Sequence, residues 1–309
     1  MRKELKNKTY DEERALYHLT ETDVTDCIFG GPKDGESVLK ECRDIRVKGC
    51  SFSLRYPLWH AEKFSLSDSF LDANTRAPVW YAKDGEISNC GIDGIKTLRE
   101  CENILIKNCV VHSPEFGWKC RGIDIEASVI ESEYFLFESK DIRIGNLRMN
   151  GKYSFQYIEN MMIENSFLDT KDAFWHSKNV TVKDSVVKGE YLGWYSEGLT
   201  LIRCEIIGTQ PLCYCKRLKL VDCRMHGCDL AFEYSDVNAT IDGHIDSVKN
   251  PKSGKIVADS VGKIISEDSV VECGAEILVR GEKVRPNNRK ISEKSVDAIR
   301  KGEIGKWKL

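Results

Sequence analysis

A spacing of nineteen residues recurs along most of this chain, and no other feature restricts its fold as severely. A marker position, most often Cys or Ser and usually preceded by a polar residue, falls at Cys27, Cys50, Ser69, Cys90, Cys109, Ser128, Leu147, Ser166, Ser185, Cys204, Cys223 and Gly243. Every step from Cys90 to Cys223 is 19 residues; the earlier steps are 23, 19 and 21, and the last is 20. Three places before the marker the column reads Val47, Leu66, Ile87, Ile106, Ile125, Ile144 and Ile163, and two places after it Phe52, Leu71, Ile92, Val111, Ile130, Met149 and Leu168. Pairs such as Ile104 with Ile106 give the period-two alternation of a short β-strand.

Nineteen residues are too few for a helix-pair repeat but suit one coil of short strands and bends. The expected fold is therefore all-β: a single-stranded parallel β-helix of about 12 rungs of 19 residues, with terminal caps. The expected boundaries are an N-terminal cap at 1–35, the β-helix at 36–248, and C-terminal strands, a helix and a basic tail at 249–309. Stacked coils bring equivalent residues to within ~4.8 Å, so each sequence column becomes a physical ladder. At the ends, TYDEERALYHL at 9–19 is expected as a short amphipathic helix, and 292–302 as another. Segments around Ile264 and Ile277–Val279 are expected as added strands, followed by eight Lys or Arg against three Asp or Glu from Arg285 onward.

The repeat also explains the thirteen cysteines. Six occupy the marker, and Cys42, Cys101, Cys120 and Cys215 lie eight places before one, in a column that also holds Ala61, Ala82, Ser139, Ser177 and Ser196. These are small inward positions, so buried, reduced packing thiols are expected rather than disulfides or metal ligands. Asp44, Asn103, Asp141, Asn160 and Asn179, six places before markers, fit bends that adopt left-handed backbone.

A net charge of −3 with interspersed signs argues against a grip on nucleic acid. No early stretch reads as an export signal and no apolar run approaches the ~18 residues that span a bilayer, so no membrane partner and a cytoplasmic location are expected. No phosphate-binding glycine loop, dinucleotide fingerprint, paired-cysteine zinc spacing or Ser-His-Asp signature occurs in a suitable context, and neither metal nor cofactor is expected.

Function on such a scaffold belongs to the outward columns. Nine and ten places after the marker stand Trp59 and His60, Arg99 and Glu100, Trp118 and Lys119, Phe137 and Glu138, Gln156 and Tyr157, Trp175 and His176, and Trp194 and Tyr195; an inserted pair of residues adds Trp80 and Tyr81. Six places after it stand, among others, Tyr153, Asp172 and Tyr191. Aromatic faces rimmed by carboxylates, amides and bases compose a sugar-binding groove, with Trp59, Trp80, Trp118, Tyr153, Gln156, Tyr157, Lys171, Trp175, Tyr191, Trp194 and Tyr195 as its lining. An aromatic ladder that packs only against itself fits the same columns. For chemistry, Asp172 and Glu190 on adjacent rungs would stand roughly 5 Å apart, near the spacing of a nucleophile and acid. Glu100 and Glu138, two rungs apart, would be ~9.6 Å apart with Lys119 between them, and His176 shares the cluster. Ladder ion pairing explains these carboxylates equally.

The segments DGESVLKEC (34–42), RYPLWH (55–60), GKYSFQY (151–157), TKDAFWH (170–176), GEYLGWYSE (189–197), GTQPLCY (208–214) and AFEYSDV (231–237) resemble an uncharacterised microbial family classed only as a domain of unknown function. The resemblance covers roughly residues 10–265 and implies a right-handed β-helix of the pectin-lyase type; it brings no reaction or catalytic residue with it. Three functions follow as expectations: a carbohydrate-active enzyme of glycosidase or lyase type, a non-catalytic glycan- or protein-binding solenoid, and an assembly module working through its tail or ends.

Overall fold

The computed structural model describes residues 2–284; the helix expected at 292–302, the basic segment from Arg285 and Trp307 lie outside the described residues. The chain divides into two compact units, Met1–Ala173 and Phe174–Leu309. Each is a parallel β-solenoid, and no helix occurs among the described residues.

Unit 1 makes nine turns, one for the strand Lys3–Lys6 and one for each of the eight six-residue strands that run from Thr20–Thr25 to Glu159–Glu164. Unit 2 makes six, on Lys178–Lys183, Thr200–Ile202, Leu218–His226, Asp236–Lys249, Ser253–Ile265 and Glu276–Val279, the last of which also pairs antiparallel with Glu282–Val284. The fifteen turns exceed the expected dozen because coils also form in the flanking segments, where the nineteen-residue marker is absent. Within unit 1 equivalent residues stand directly above one another: Gly85 pairs with Ile104, Ile104 with Ile123, Ile123 with Ile142, and Ile142 with Met161.

One coil shows how sequence sets the path. Glu102–Lys107 turns Ile104 and Ile106 inward; Asn108 then bends the chain in left-handed backbone at φ 52°, and Val110–His112 turns Val111 inward. A bend of this kind takes the marker N–H out of the ladder, and a buried N–H must find a partner. The next turn supplies it: Cys50 N donates to Ser69 Oγ at 3.0 Å, Cys109 N to Ser128 Oγ at 3.1 Å, Leu147 N to Ser166 Oγ at 3.0 Å, and Cys27 N to Cys50 Sγ at 3.4 Å. The same hydroxyl or thiol donates to the carbonyl two residues back, as Ser128 Oγ does to Glu126 O at 2.9 Å. A small side chain that both donates and accepts serves this position, which is why Cys and Ser fill it at every marker but Leu147 and Gly243. All thirteen thiols are free and all but Cys273 are buried; burial pushes Cys42 and Cys228 up to about 12. The Asn and Asp bends stack likewise, Asn103 Nδ2 donating to Asp84 Oδ1 at 3.0 Å and Asn160 Nδ2 to Asp141 Oδ1 at 3.1 Å.

The third side of each coil is not ordinary strand. Every second residue is left-handed, as at Tyr56, Leu58 and His60 and at Tyr153, Phe155 and Tyr157. Such backbone costs about 1–2 kcal/mol per non-glycine residue. Paired bonds up and down the stack offset it: Tyr56 N donates to Arg76 O at 2.8 Å, Leu58 N to Val38 O at 3.0 Å and His60 N to Trp80 O at 2.9 Å. Segment 9–19 is the first such corner and not a helix. Arg14, Leu16 and His18 alternate in left-handed backbone, and Leu39 N donates to Ala15 O at 3.0 Å.

Candidate functional site

The alternating backbone fixes the aromatic column. Because neighbouring turns repeat the same dihedrals, the nine-after-marker side chains leave the wall in parallel and stack. Trp59 and Trp80 lie 5.2 Å apart at 4°, the Arg99 guanidinium sits 4.7 Å from Trp80 and 5.1 Å from Trp118, and Trp118 meets Phe137 at 5.2 Å. In unit 2, Trp175 and Trp194 stack at 5.4 Å and 3°. The indole N–H groups are also engaged: Trp59 donates to Ala77 O at 2.7 Å, Trp80 to Lys96 O at 2.6 Å, Trp175 to Tyr191 O at 2.6 Å and Trp194 to Gln210 O at 2.8 Å. Gln156 Nε2 takes the same part, donating to Asp172 O at 3.0 Å. Trp118 Nε1 is buried without a partner; the equivalent carbonyl, Tyr134 O, accepts from Ser132 Oγ at 3.2 Å. Trp80 and Trp118 thus have both ring faces covered by neighbouring side chains, and these half-buried rings offer solvent mainly their edges.

The remaining candidates are distributed over both units. In unit 1, Tyr153 stacks on Tyr134 at 5.1 Å, Tyr157 is 39% exposed, Lys171 is half-buried, and Asp172 is only 7% exposed in left-handed backbone. Glu138 pairs with Lys119 at 3.6 Å, and Glu100 is exposed. In unit 2, Glu190 is exposed, Tyr191 meets Trp194 edge-on at 5.4 Å, and His176, Tyr195 and Tyr214 stack at 5.0 and 4.8 Å, with Tyr195 46% exposed. Burial lowers the His176 imidazole below its usual value. It raises the Tyr214 phenol, helped by the charge of Glu233. Asp172 belongs to unit 1 and Glu190 to unit 2. No group of three His, Cys, Asp or Glu able to hold a metal ion occurs among the described residues.

A polar cleft in unit 1 involves residues the sequence did not single out. Its volume is about 510 Å³. One wall is the column three places after the marker, His112, Glu131 and Asn150; the other is Pro114, Glu133 and Lys152; the floor is Ser113, Ser132 and Gly151. The floor must be small, because a Cβ on Gly151 would overlap the Ser132 carbonyl oxygen. Register places His112 beside Glu131 and Glu131 beside Asn150 on successive turns. His112 Nδ1 lies 2.9 Å from Asp93 Oδ1 one turn earlier. Among the described residues the side chains of Glu131, Asn150 and Lys152 make no hydrogen bond or ion pair with protein; all three are exposed and line the cleft. A signal for this site existed in the polar column Asp93, His112, Glu131, Asn150 beside the small column Gly94, Ser113, Ser132, Gly151.

A family model described as a protein of unknown function (DUF3737) matches residues 3–278. No curated protein matches the chain. Among solved structures, the A-module of the mannuronan C-5 epimerase AlgE4 of Azotobacter vinelandii aligns over 93% of this chain and 89% of its own at 12% identity and a TM-score of 0.31. The periplasmic alginate epimerase AlgG aligns over 84% and 74% at 7% identity and a TM-score of 0.30. PfbA, a surface adhesin of Streptococcus pneumoniae, aligns over 89% and 81% at 10% identity and a TM-score of 0.27. Likeness at this level carries no argument about chemistry or ligand.

Proposed function

Since the chain belongs to the DUF3737 family, which brings no activity with it, we propose a function from the surface itself: a saccharide-binding β-solenoid whose ligand seats in the cleft between His112, Glu131, Asn150 and Pro114, Glu133, Lys152. What supports the reading is the set of polar side chains that converge on a preformed cleft without partners of their own. Two walls that each carry a donor and an acceptor, Asn150 and Glu131 on one and Lys152 and Glu133 on the other, match a polyol, whose hydroxyls both give and take. The stacked aromatic column serves this reading as the spine that holds the wall, since its rings stack on one another and every indole N–H but that of Trp118 is engaged.

Glycoside cleavage by Asp172 and Glu190, with His176, Glu100 and Glu138 as further candidates, is the corresponding proposal for the aromatic columns. Asp172→Asn and Glu190→Gln test it by loss of turnover with folding retained. For the cleft, calorimetric titration of a panel of neutral, amino and uronic oligosaccharides is the test. Binding should weaken about 10-fold or more in Glu131→Ala, since a hydrogen bond to a charged group is worth about 1.5–3 kcal/mol. Silence across the panel, or binding lost in Tyr157→Ala and Tyr195→Ala instead, refutes the assignment.

A further inference from the structure

We propose that this cleft hydrolyses acyl esters of its ligand, with His112 as general base and Asp93 as the residue that positions it; the inference rests on the saccharide reading only for the alcohol half of the ester. The geometry begins with the 2.9 Å contact between His112 Nδ1 and Asp93 Oδ1. A carboxylate can only accept, so Nδ1 carries the hydrogen and the lone pair is assigned to Nε2. Nε2 has no partner among the described residues, and the ring stands at the edge of the cleft. An imidazole held at one nitrogen by a carboxylate and open at the other is an oriented base.

The rest of the cleft supplies what acyl transfer needs beyond a base. Asn150 and Lys152 are donors without protein partners, one on each wall, available to a developing oxyanion. The Ser113, Ser132 and Gly151 floor leaves space for a small acyl group. The charged groups around His112 are Asp93 on the preceding turn, Glu131 on the next, and Glu133 and Lys152 across the cleft.

In the step itself, Nε2 takes a proton from water as the water oxygen bonds to the acyl carbon, and the carbonyl electron pair moves to oxygen. Collapse breaks the bond from the acyl carbon to the sugar oxygen, and His112 returns the proton to the departing alkoxide. Ester and water give acid and alcohol, and nothing is oxidised or reduced. One group acts as base and then acid, whereas glycoside cleavage requires two carboxyl groups at a set separation.

The test uses the full chain, with 4-nitrophenyl acetate and a partially acetylated xylo-oligosaccharide as substrates. Release of acetate above the buffer rate is expected, rising with pH through the imidazole range. His112→Gln should lower kcat about 100-fold or more, the usual size of general acid–base catalysis. Asp93→Asn should lower kcat with KM little changed and displace the inflection of the pH profile, a readout that a merely structural role would leave in place. Arg203→Lys, a substitution in unit 2, should match the parent. Absence of hydrolysis from pH 6 to 9, or an undiminished rate in His112→Gln, overturns the inference. Oligosaccharides that bind while neither ester is cleaved overturn it and leave the binding reading standing. Cleavage of 4-nitrophenyl acetate alone, dependent on His112, supports the inference and counts against the saccharide reading.

Discussion

Phe64 and Gly85 are separated by twenty-one residues in sequence and paired across adjacent turns. The inward column they share reads Ile45, Phe64, Gly85, Ile104, Ile123, so one ring occupies the space that a side chain on the next turn would otherwise fill. A Cβ placed on Gly85 would overlap the edge of the Phe64 ring, which is 4% exposed and has nowhere to go. Gly85→Val alone should therefore destabilise unit 1 by about 1–3 kcal/mol through overpacking. Phe64→Ile alone leaves a void and costs part of the ~3–5 kcal/mol of a Phe→Ala truncation. Together they rebuild a continuous aliphatic ladder, so the double variant should recover about 1–3 kcal/mol relative to the sum of the singles. Urea titration of the four proteins measures the coupling, with slopes compared to establish that the unfolding reaction is unchanged. Additivity to within about 0.5 kcal/mol would show that the two positions are not neighbours and would refute the stacking register.

Three further outcomes are expected. A thiol reagent applied to the native protein should label Cys273 before any other cysteine, since the remaining twelve are buried, and all thirteen should react after denaturation; rapid labelling of several cysteines in the native state would contradict the inward column. Burial lowers the His176 pKa, so the folded state disfavours the proton that the unfolded chain accepts near 6.5; this contribution to stability is complete above that value and is lost on acidification toward the folded pKa. The loss is small because the ring is partly solvated, and His176→Gln should flatten the stability profile between those limits; an unchanged profile would dismiss the cause. Gly151→Ala should push the Ser132 carbonyl aside, lowering stability by about 1–3 kcal/mol and weakening ligand binding in the cleft; unchanged binding would place the ligand elsewhere.

The period made the inward columns readable because each inward position repeats one physical requirement. Ile87, Ile106, Ile125 and Ile144 meet the same environment every turn, and Cys50 or Ser128 caps the same N–H. The spacing also showed that Trp59 and Trp80 share a column, but not that their faces would close on one another; that depends on the left-handed alternation of the third side, which spacing does not reveal. The same alternation explains the helix expected at 9–19. In 9–19 Ala15, Leu16 and Leu19 fall at the i, i+1 and i+4 positions of a helical stripe, although only Ala15 is buried. The cleft was hidden for another reason: His112, Glu131 and Asn150 share no residue type, and what unites them is the small floor beside them.

The most direct measurement is a crystal structure of the full chain grown with an oligosaccharide that binds in solution. The account predicts ligand density between Glu131 and Asn150 on one wall and Glu133 and Lys152 on the other, with the tryptophan stack unchanged. Density lying against the ring faces of Trp80 or Trp118, with the stack opened to admit it and the cleft empty, would contradict it.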